Sequence, residues 1–287
     1  MDKKKILLLG ATGMAGHIAY YYLNNTGKYE ITNVVFRNTL TRDSLVLDIT
    51  DKLATEKLIL DVQPDIILNF VGVLLKGSQL HPDNAIYINA YFPHQLERLS
   101  NEIKAKLIHI STDCVFSGNK GNYAETDVCD AYDIYGKSKG LGEVINKKDL
   151  TIRTSIIGPE LKGNGEGLFH WFMHQKGEVY GYTEVFWGGV TTLELAKAIN
   201  IAIEHNITGL VHLTNGNKIS KYKLLVLFKE IWNKNEINVQ QFNGKKADKS
   251  LLKSERFKYI VPSYQEMLED LNKWMQLHNE LYQEIYK

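Results

Sequence analysis

Two side chains stand out for the chemistry they can do together. Tyr135 and Lys139 lie four residues apart in Tyr135-Gly136-Lys137-Ser138-Lys139, inside a helical pattern. That spacing puts both on one helix face, about one turn apart. A phenol beside an ammonium is expected to titrate low, because the positive charge favours the phenolate. Such a phenol passes a proton to or from a carbonyl oxygen near neutral pH. The apolar strand Leu107-Ile108-His109-Ile110 ends in Ser111-Thr112-Asp113. A hydroxyl from that strand end is placed to hold the same oxygen.

The elements that must position this pair begin at the N-terminus. Residues 6–9 are a continuous apolar run, as expected of a parallel strand buried on both faces. Gly10-Ala11-Thr12-Gly13-Met14-Ala15-Gly16 follows as a G-x-x-G-x-x-G turn, then a helical stretch to about residue 24. Glycines there permit a tight turn and let a pyrophosphate approach the backbone, with the helix N-terminus facing the anion. The turn from Gly10 through Thr12, Gly13, Met14 and Ala15 to Gly16 is therefore the expected cofactor cradle. The next strand, about 31–36, ends at Arg37-Asn38. An acidic residue at this point takes a ribose 2′-hydroxyl, whereas an Arg accommodates a 2′-phosphate. The sequence thus reads as NADP(H), with NAD(H) as the alternative.

A short strand at 45–47 leads to Asp48-Ile49-Thr50-Asp51. Thr50 or Asp51 caps the helix that follows, and Asp48 and Ile49 are expected near the adenine. The strand 66–68 ends at Asn69-Phe70-Val71-Gly72. Ligands bind at strand C-terminal ends in such sheets, so Asn69, Val71 and Gly72 are expected to flank the cofactor. Residues 83–100 read as one long helix. Asn89 lies mid-helix, where Asn is commonly solvated or locally bonded, and is kept among the cofactor contacts. A further strand covers 150–155. The order β-α-β-(β)-α-β-α-β predicts an α/β fold of the Rossmann type, a doubly wound parallel sheet.

After Gly158 the texture changes. Residues 159–167, rich in glycine and charge, are expected to form a mobile loop. Helices are expected at 168–175, 193–204, 220–232 and 263–277, with a strand at 209–213. The chain divides into 1–158, an NADP-binding domain, and 159–287, a smaller and mainly substrate-binding domain with some segments returning to the first.

Composition sets outer bounds. The chain has 287 residues, 44% apolar and 23% charged, with a net charge of +1. Nothing in that balance draws it to nucleic acid or to a membrane. Cys114 and Cys129 give no disulfide framework and no zinc spacing, which suits a reducing cytoplasm. The start, MDKKKILLLG, is too short an apolar run for a signal peptide or a span. His170 and His174 have a zinc-like spacing, but apolar residues fill the gap and no Glu follows the first, so no metal is assigned. Cys114 reads as a packing residue, and Tyr20-Tyr21-Tyr22 as packing of the first helix on the sheet with one ring wet.

The motifs GATGMAG, STDCVFSG, YAETD, YGKSKGLGE, IRTSIIG and FWGGVTTLELA, in this order, resemble the extended short-chain dehydrogenase/reductase family. Within it they are most similar to the dTDP-4-dehydrorhamnose reductase branch. Two departures stand out. Cys114 replaces a usual aromatic residue, and Cys129-Asp130-Ala131-Tyr132-Asp133 replaces a proline-bearing stretch.

The resemblance implies NADPH-dependent reduction of a 4-keto-6-deoxy sugar on a nucleotide diphosphate, for deoxysugar and surface-polysaccharide synthesis. Tyr135 would protonate the developing alkoxide. Lys139 would lower the Tyr pKa and hold the nicotinamide ribose. Thr112 would hydrogen-bond the carbonyl oxygen. Ser111, also counted with the cofactor contacts, is the alternative for that role, because successive strand residues point to opposite faces. Cys114, Val115, Trp187 and Thr191 would meet the substrate, and the basic run from Lys245 to Arg256 is in reach of a diphosphate or is a solvated face. The family implies a cytoplasmic monomer or homodimer. Two other functions remain open: an epimerase or dehydratase of the same fold, and a non-catalytic NADP-binding regulatory subunit like the one that partners methionine adenosyltransferase.

Overall fold

The computed structural model describes residues 3–286. The first half of the chain runs β1 (Lys4–Leu9), α1 (Gly16–Asn25), β2 (Tyr29–Val35), β3 (Leu45–Val46), α2 (Lys52–Val62), β4 (Ile66–Asn69), α3 (Leu75–Leu80), α4 (Pro82–Ala85), α5 (Phe92–Glu102), β5 (Lys106–Thr112), α6 (Ile134–Leu141) and β6 (Leu150–Thr154). A π turn, Ile86–Tyr91, joins α4 to α5, and a 3-10 turn, Asp113–Val115, follows β5. The second half runs β7 (Ile156–Ile157), α7 (Leu168–Met173), β8 (Gly177–Tyr182), β9 (Val185–Trp187), β10 (Val190–Thr191), α8 (Thr192–Glu204), β11 (Gly209–His212), β12 (Ile219–Ser220), α9 (Lys221–Ile231), β13 (Ile237–Phe242), β14 (Ala247–Asp248), α10 (Tyr264–Leu277) and α11 (Asn279–Tyr282).

Seven strands form one parallel sheet in the order β11-β6-β5-β4-β1-β2-β3. Chain direction across the sheet reverses between β1 and β4, and that reversal opens a crevice at their C-terminal ends. This is the doubly wound Rossmann-type sheet the sequence predicts. The smaller sheets β12-β9-β14 and β13-β8 lie in the second half. Two of its elements return to the large sheet: β11 pairs with β6, and α8 packs on α1. Residues 1, 2 and 287, at the ends of the two expected domains, lie outside the described residues.

Strand alternation sorts the core into two faces. Ile6, Leu8, Ile66, Leu68, Ile108 and Ile152 join Ile18 of α1 and Ile199 of α8 in one cluster. Leu7, Leu9, Ile67 and Leu107 join Ile59 of α2 and Phe92, Leu96 and Leu99 of α5 in the other. On this second face the apolar residues stop short of the strand ends. Asn69, His109, Ser111, Thr151 and Arg153 continue it, all buried.

The structure departs from the sequence reading in four places. The long helix expected at 83–100 contains the π turn, because Pro93 has no N–H to offer the Asn89 carbonyl. The Phe92 N–H bonds instead to Tyr87 O, five residues back. Second, Asn89 is fully buried rather than solvated. Third, the expected mobile loop at 159–167 is tied down: buried Glu160 accepts from Gly167 N at 2.7 Å, and the Gly163 carbonyl meets His170 Nε2 at 3.1 Å. Fourth, Tyr20 and Tyr22 pack on the core of the α1 side as expected, but Tyr21 stands against His278 just past α10, and all three rings are half-buried rather than one being wet. Among the described residues no helix is long and apolar enough to cross a membrane.

Candidate active site

The reactive helix is held close to the end of β5 by glycine. The Asp133 carboxylate caps α6, accepting from Gly136 N at 2.8 Å. A Cβ on Gly136 would collide with the Cys114 carbonyl oxygen, and one on Gly142 would collide with that of Asn89. Both glycines therefore let α6 lie against the turn after β5 and against the π turn. Asn89 locks the second contact. Its amide donates to Val73 O at 2.9 Å and Ser138 Oγ at 3.2 Å, and its oxygen accepts from Val73 N at 2.8 Å.

Thr112 and Ser111 take opposite directions, as strand geometry requires. The Thr112 hydroxyl lies where it acts on the Tyr135 phenol; it donates to Asp113 Oδ1 at 3.2 Å and accepts from Cys114 N at 3.1 Å. The Ser111 hydroxyl donates to Glu143 Oε1 at 2.6 Å. The Glu143 carboxylate is also held by Arg153, Nε at 2.7 Å and Nη2 at 2.6 Å, and this ion pair is buried. Ser111 thus belongs to a structural charge cluster, and Thr112 is the hydroxyl that faces the tyrosine.

The electrostatics correct one expectation. Burial, reinforced by the nearby Cys114 thiol, pushes the Tyr135 phenol above its ordinary range, and the neighbouring Thr112 hydroxyl only partly offsets it. The lysine does not lower it here. Lys139 Nζ instead donates to Ile110 O at 2.7 Å and lies 3.3 Å from His109 Nε2. Burial lowers Lys139 to about 8, against the pull of Glu143. Burial also pushes the Cys114 thiol up to about 12, so it is no nucleophile at neutral pH. Asp113, between the site and the second half of the chain, is raised by burial and opposed by the charges of Lys249 and Lys221.

The remaining candidates ring the crevice. Gly10 has a left-handed φ of +83°, and a Cβ on Gly16 would collide with the Gly10 carbonyl oxygen, so only glycine lets α1 start here. Gly13 is exposed, Thr12 and Met14 are half-buried, and Ala15 is buried. No side chain caps the α1 N-terminus, which leaves its first N–H groups open to an anion. The residues present fit a dinucleotide pyrophosphate.

Arg37 and Asn38 are exposed just past β2, with the Arg37 guanidinium over the Phe36 ring at 4.6 Å. Asp48 is exposed and accepts from Thr50 N at 3.0 Å. Ile49 is buried against the α2–α5 core. Val71 is half-buried and Gly72 exposed beyond β4.

Three expected substrate residues have no side-chain surface to offer. Val115 packs with Phe116, Tyr123 and Leu251. Thr191 caps α8 by accepting from Glu194 N at 3.2 Å. Trp187 is buried beside the Tyr264 ring at 5.5 Å. Apolar and cap positions close to a site look like contacts in sequence, and packing claimed them. His170 and His174 are hydrogen-bonded to Tyr286 Oη and to Ile285 O. Among the described residues no group of three or more His, Cys, Asp or Glu is placed to hold a metal. Both cysteines are free.

Sequence reasoning missed His109, Gly136 and Gly142. A histidine inside an otherwise apolar strand was the available signal for the first. For the glycines there was none without the packing.

A sheet of this order, with a tyrosine one helical turn from a lysine beside its fifth strand, is the architecture of the extended short-chain dehydrogenase/reductases. The chain belongs to the RmlD substrate binding domain family, which it matches over residues 4–276. The dTDP-4-dehydrorhamnose reductase of Aggregatibacter actinomycetemcomitans is 31% identical over 56% of this chain and 54% of its own, so the match spans about half of that relative. The spore coat polysaccharide biosynthesis protein SpsK of Bacillus subtilis is 31% identical over 79% of this chain and 78% of its own. A crystal structure of dTDP-4-dehydrorhamnose reductase from Bacillus anthracis in complex with NADP has the same fold, with a TM-score of 0.80, 23% identity, and coverage of 94% of this chain and 99% of that one.

Proposed function

We propose that this chain is an NADPH-dependent reductase of a 4-keto-6-deoxy sugar carried on a nucleoside diphosphate, serving surface-polysaccharide synthesis. The observation that carries the reading is the grouping at the end of β5 of the Thr112 hydroxyl, the Tyr135 phenol it acts on, and Lys139 one helical turn further along α6. The family membership and the reductase names of its relatives support it.

In this reading the turn from Gly10 to Gly16 receives the cofactor pyrophosphate at the α1 N-terminus. Arg37 takes the 2′-phosphate, with Asn38 beside it. Asp48 lies at the adenine edge, Asn69, Val71 and Gly72 flank the cofactor, and Lys139 holds the ribose. When bound, NADPH supplies the hydride. Thr112 and Tyr135 together hold the keto oxygen, where negative charge builds up. Tyr135 then gives its proton to that oxygen. A raised pKa suits this direction: the phenol stays protonated through the neutral range and is ready as a donor. Lys221 and Lys249, whose charges already act on Asp113, are placed for the substrate diphosphate, and Cys114 lies beside the sugar. The second half of the chain supplies the substrate side.

The test is NADPH consumption with a panel of 4-keto-6-deoxy sugars on dTDP and on UDP, with Tyr135→Phe alongside. Turnover on one member, reduced about 10²–10⁴-fold in the variant, is expected. A variant within a few-fold of wild type removes Tyr135 from the reaction. Stoichiometric cofactor released on denaturation, with no net NADPH use, points to the epimerase or dehydratase chemistry instead.

A further inference from the structure

Behind Lys139 runs a chain of hydrogen bonds whose donors and acceptors can be assigned one at a time. It starts at Val71, whose N–H donates to Asn69 Oδ1 at 3.1 Å. A backbone N–H only donates, so the Asn69 amide is fixed with Nδ2 toward His109 Nδ1, 3.1 Å away. An amide nitrogen also only donates, so Nδ1 must accept. Fully buried, His109 is held far below its ordinary range and is neutral. Its one proton therefore sits on Nε2. That nitrogen faces Lys139 Nζ at 3.3 Å. An N–H and an ammonium cannot both donate across one gap, so the amine accepts. Lys139 passes the chain on to the Ile110 carbonyl oxygen at 2.7 Å. Every member is satisfied only when Lys139 is a neutral amine. The fold makes the arrangement rigid, since Asn69 and His109 are register partners on adjacent parallel strands.

We propose that His109, its tautomer fixed by Asn69, is a positioning residue that weakens the hold of Lys139 on its proton in the free protein, and that at alkaline pH binding of the nicotinamide cofactor converts the neutral amine to an ammonium with uptake of one proton from solvent. The inference rests on the reductase reading. A bound cofactor brings ribose hydroxyls that accept hydrogen bonds and phosphates that attract positive charge. Charging Lys139 requires His109 to carry its proton on Nδ1 and the Asn69 amide to turn over, which releases the Val71 N–H. The charge of the lysine is thereby linked to residues 69–72, at the cofactor edge.

The titratable groups around the lysine are few. Tyr135 and Glu143 flank it along the chain, and His109 comes from β5, with His94 of α5 acting on it. Of the elements packed against α6, the turn after β5 carries Asp113 and Cys114, the π turn Tyr87 and Tyr91, α3 Lys76 and α4 Asp83. Lysine 139 is lowered to about 8, while Cys114 lies near 12 and Tyr135 is raised, so Lys139 titrates between them and His109. Lys106, also lowered to about 8, sits at the opposite end of β5.

The experiment is calorimetric titration of the full chain with NADPH from about pH 7 to pH 9.5, in buffers of different ionisation enthalpy. Wild type is expected to take up close to one proton per chain at the alkaline end, with Kd rising about tenfold per pH unit above about pH 8. His109→Gln offers a carbonyl oxygen to the ammonium and keeps the lysine charged, so uptake disappears and Kd stays flat. Asn69→Asp binds the Nδ1 proton and leaves Nε2 to accept; it is expected to give the same loss if the first variant does not fold. Wild type that binds NADPH without proton uptake, or variants that keep the wild-type slope, overturn the inference and leave the reductase reading standing. Absence of NADPH binding at every pH overturns that reading and the inference with it.

Discussion

The two faces of the central sheet are made by the same strands and end differently. On the α1–α8 face, Ile6, Leu8, Leu68, Ile108 and Ile152 are aliphatic, and β5 and β6 turn polar there at their last residues, Thr112 and Thr154. On the α5–α6 face, Ile67 and Leu107 give way one alternation later to Asn69 and His109, then to Ser111 and Arg153. The first face tolerates any apolar side chain of fitting volume. The second requires every buried donor to find an acceptor. A step of two residues along a strand moves from packing to chemistry, without leaving the core.

Three substitutions probe that difference. The largest effect is expected from Glu143→Gln, which leaves Arg153 charged and buried with Ser111 still bonded nearby. Breaking such a pair costs about 3–5 kcal/mol, to be read from urea unfolding. A loss under about 1 kcal/mol would make the polar face as tolerant as the apolar one. Next is Leu8→Ala, fully buried on the apolar face, with an expected cost of about 2–5 kcal/mol and turnover per folded molecule nearly unchanged. A large fall in turnover at retained stability would show that this face also tunes the chemistry. The smallest is Thr151→Val, which removes the donor to Val144 O at 2.6 Å. It should cost about 1 kcal/mol, and a stabilised variant would show that the polar face is not matched donor by donor.

What the sequence disclosed follows the range of the interactions. The Tyr135–Lys139 spacing, the glycine turn and the cap at Asp51 are local, and they stand where the pattern put them. The site's charge states are not local. They depend on which strand lies beside which, so the spacing suggested a lysine acting on a tyrosine while the register gave that lysine to His109. The π turn was hidden because the helical pattern at 83–100 runs straight through Pro93. Val115, Trp187 and Thr191 stand in site-bearing segments, and only packing shows that their side chains face inward.

The late position of β11 bears on how the molecule is made. It closes the sheet beside β6, yet α7, four short strands and α8 are synthesised between the two. While the ribosome is still extending that stretch, β6 is a bare edge and the α1 side of the sheet lacks the helix that later covers it. Open edges and uncovered apolar faces are where nascent chains aggregate. The seam between the two halves of the sequence is therefore a poor place to stop translation or to cut an expression fragment, and chaperone engagement should be concentrated in the interval before α8 emerges.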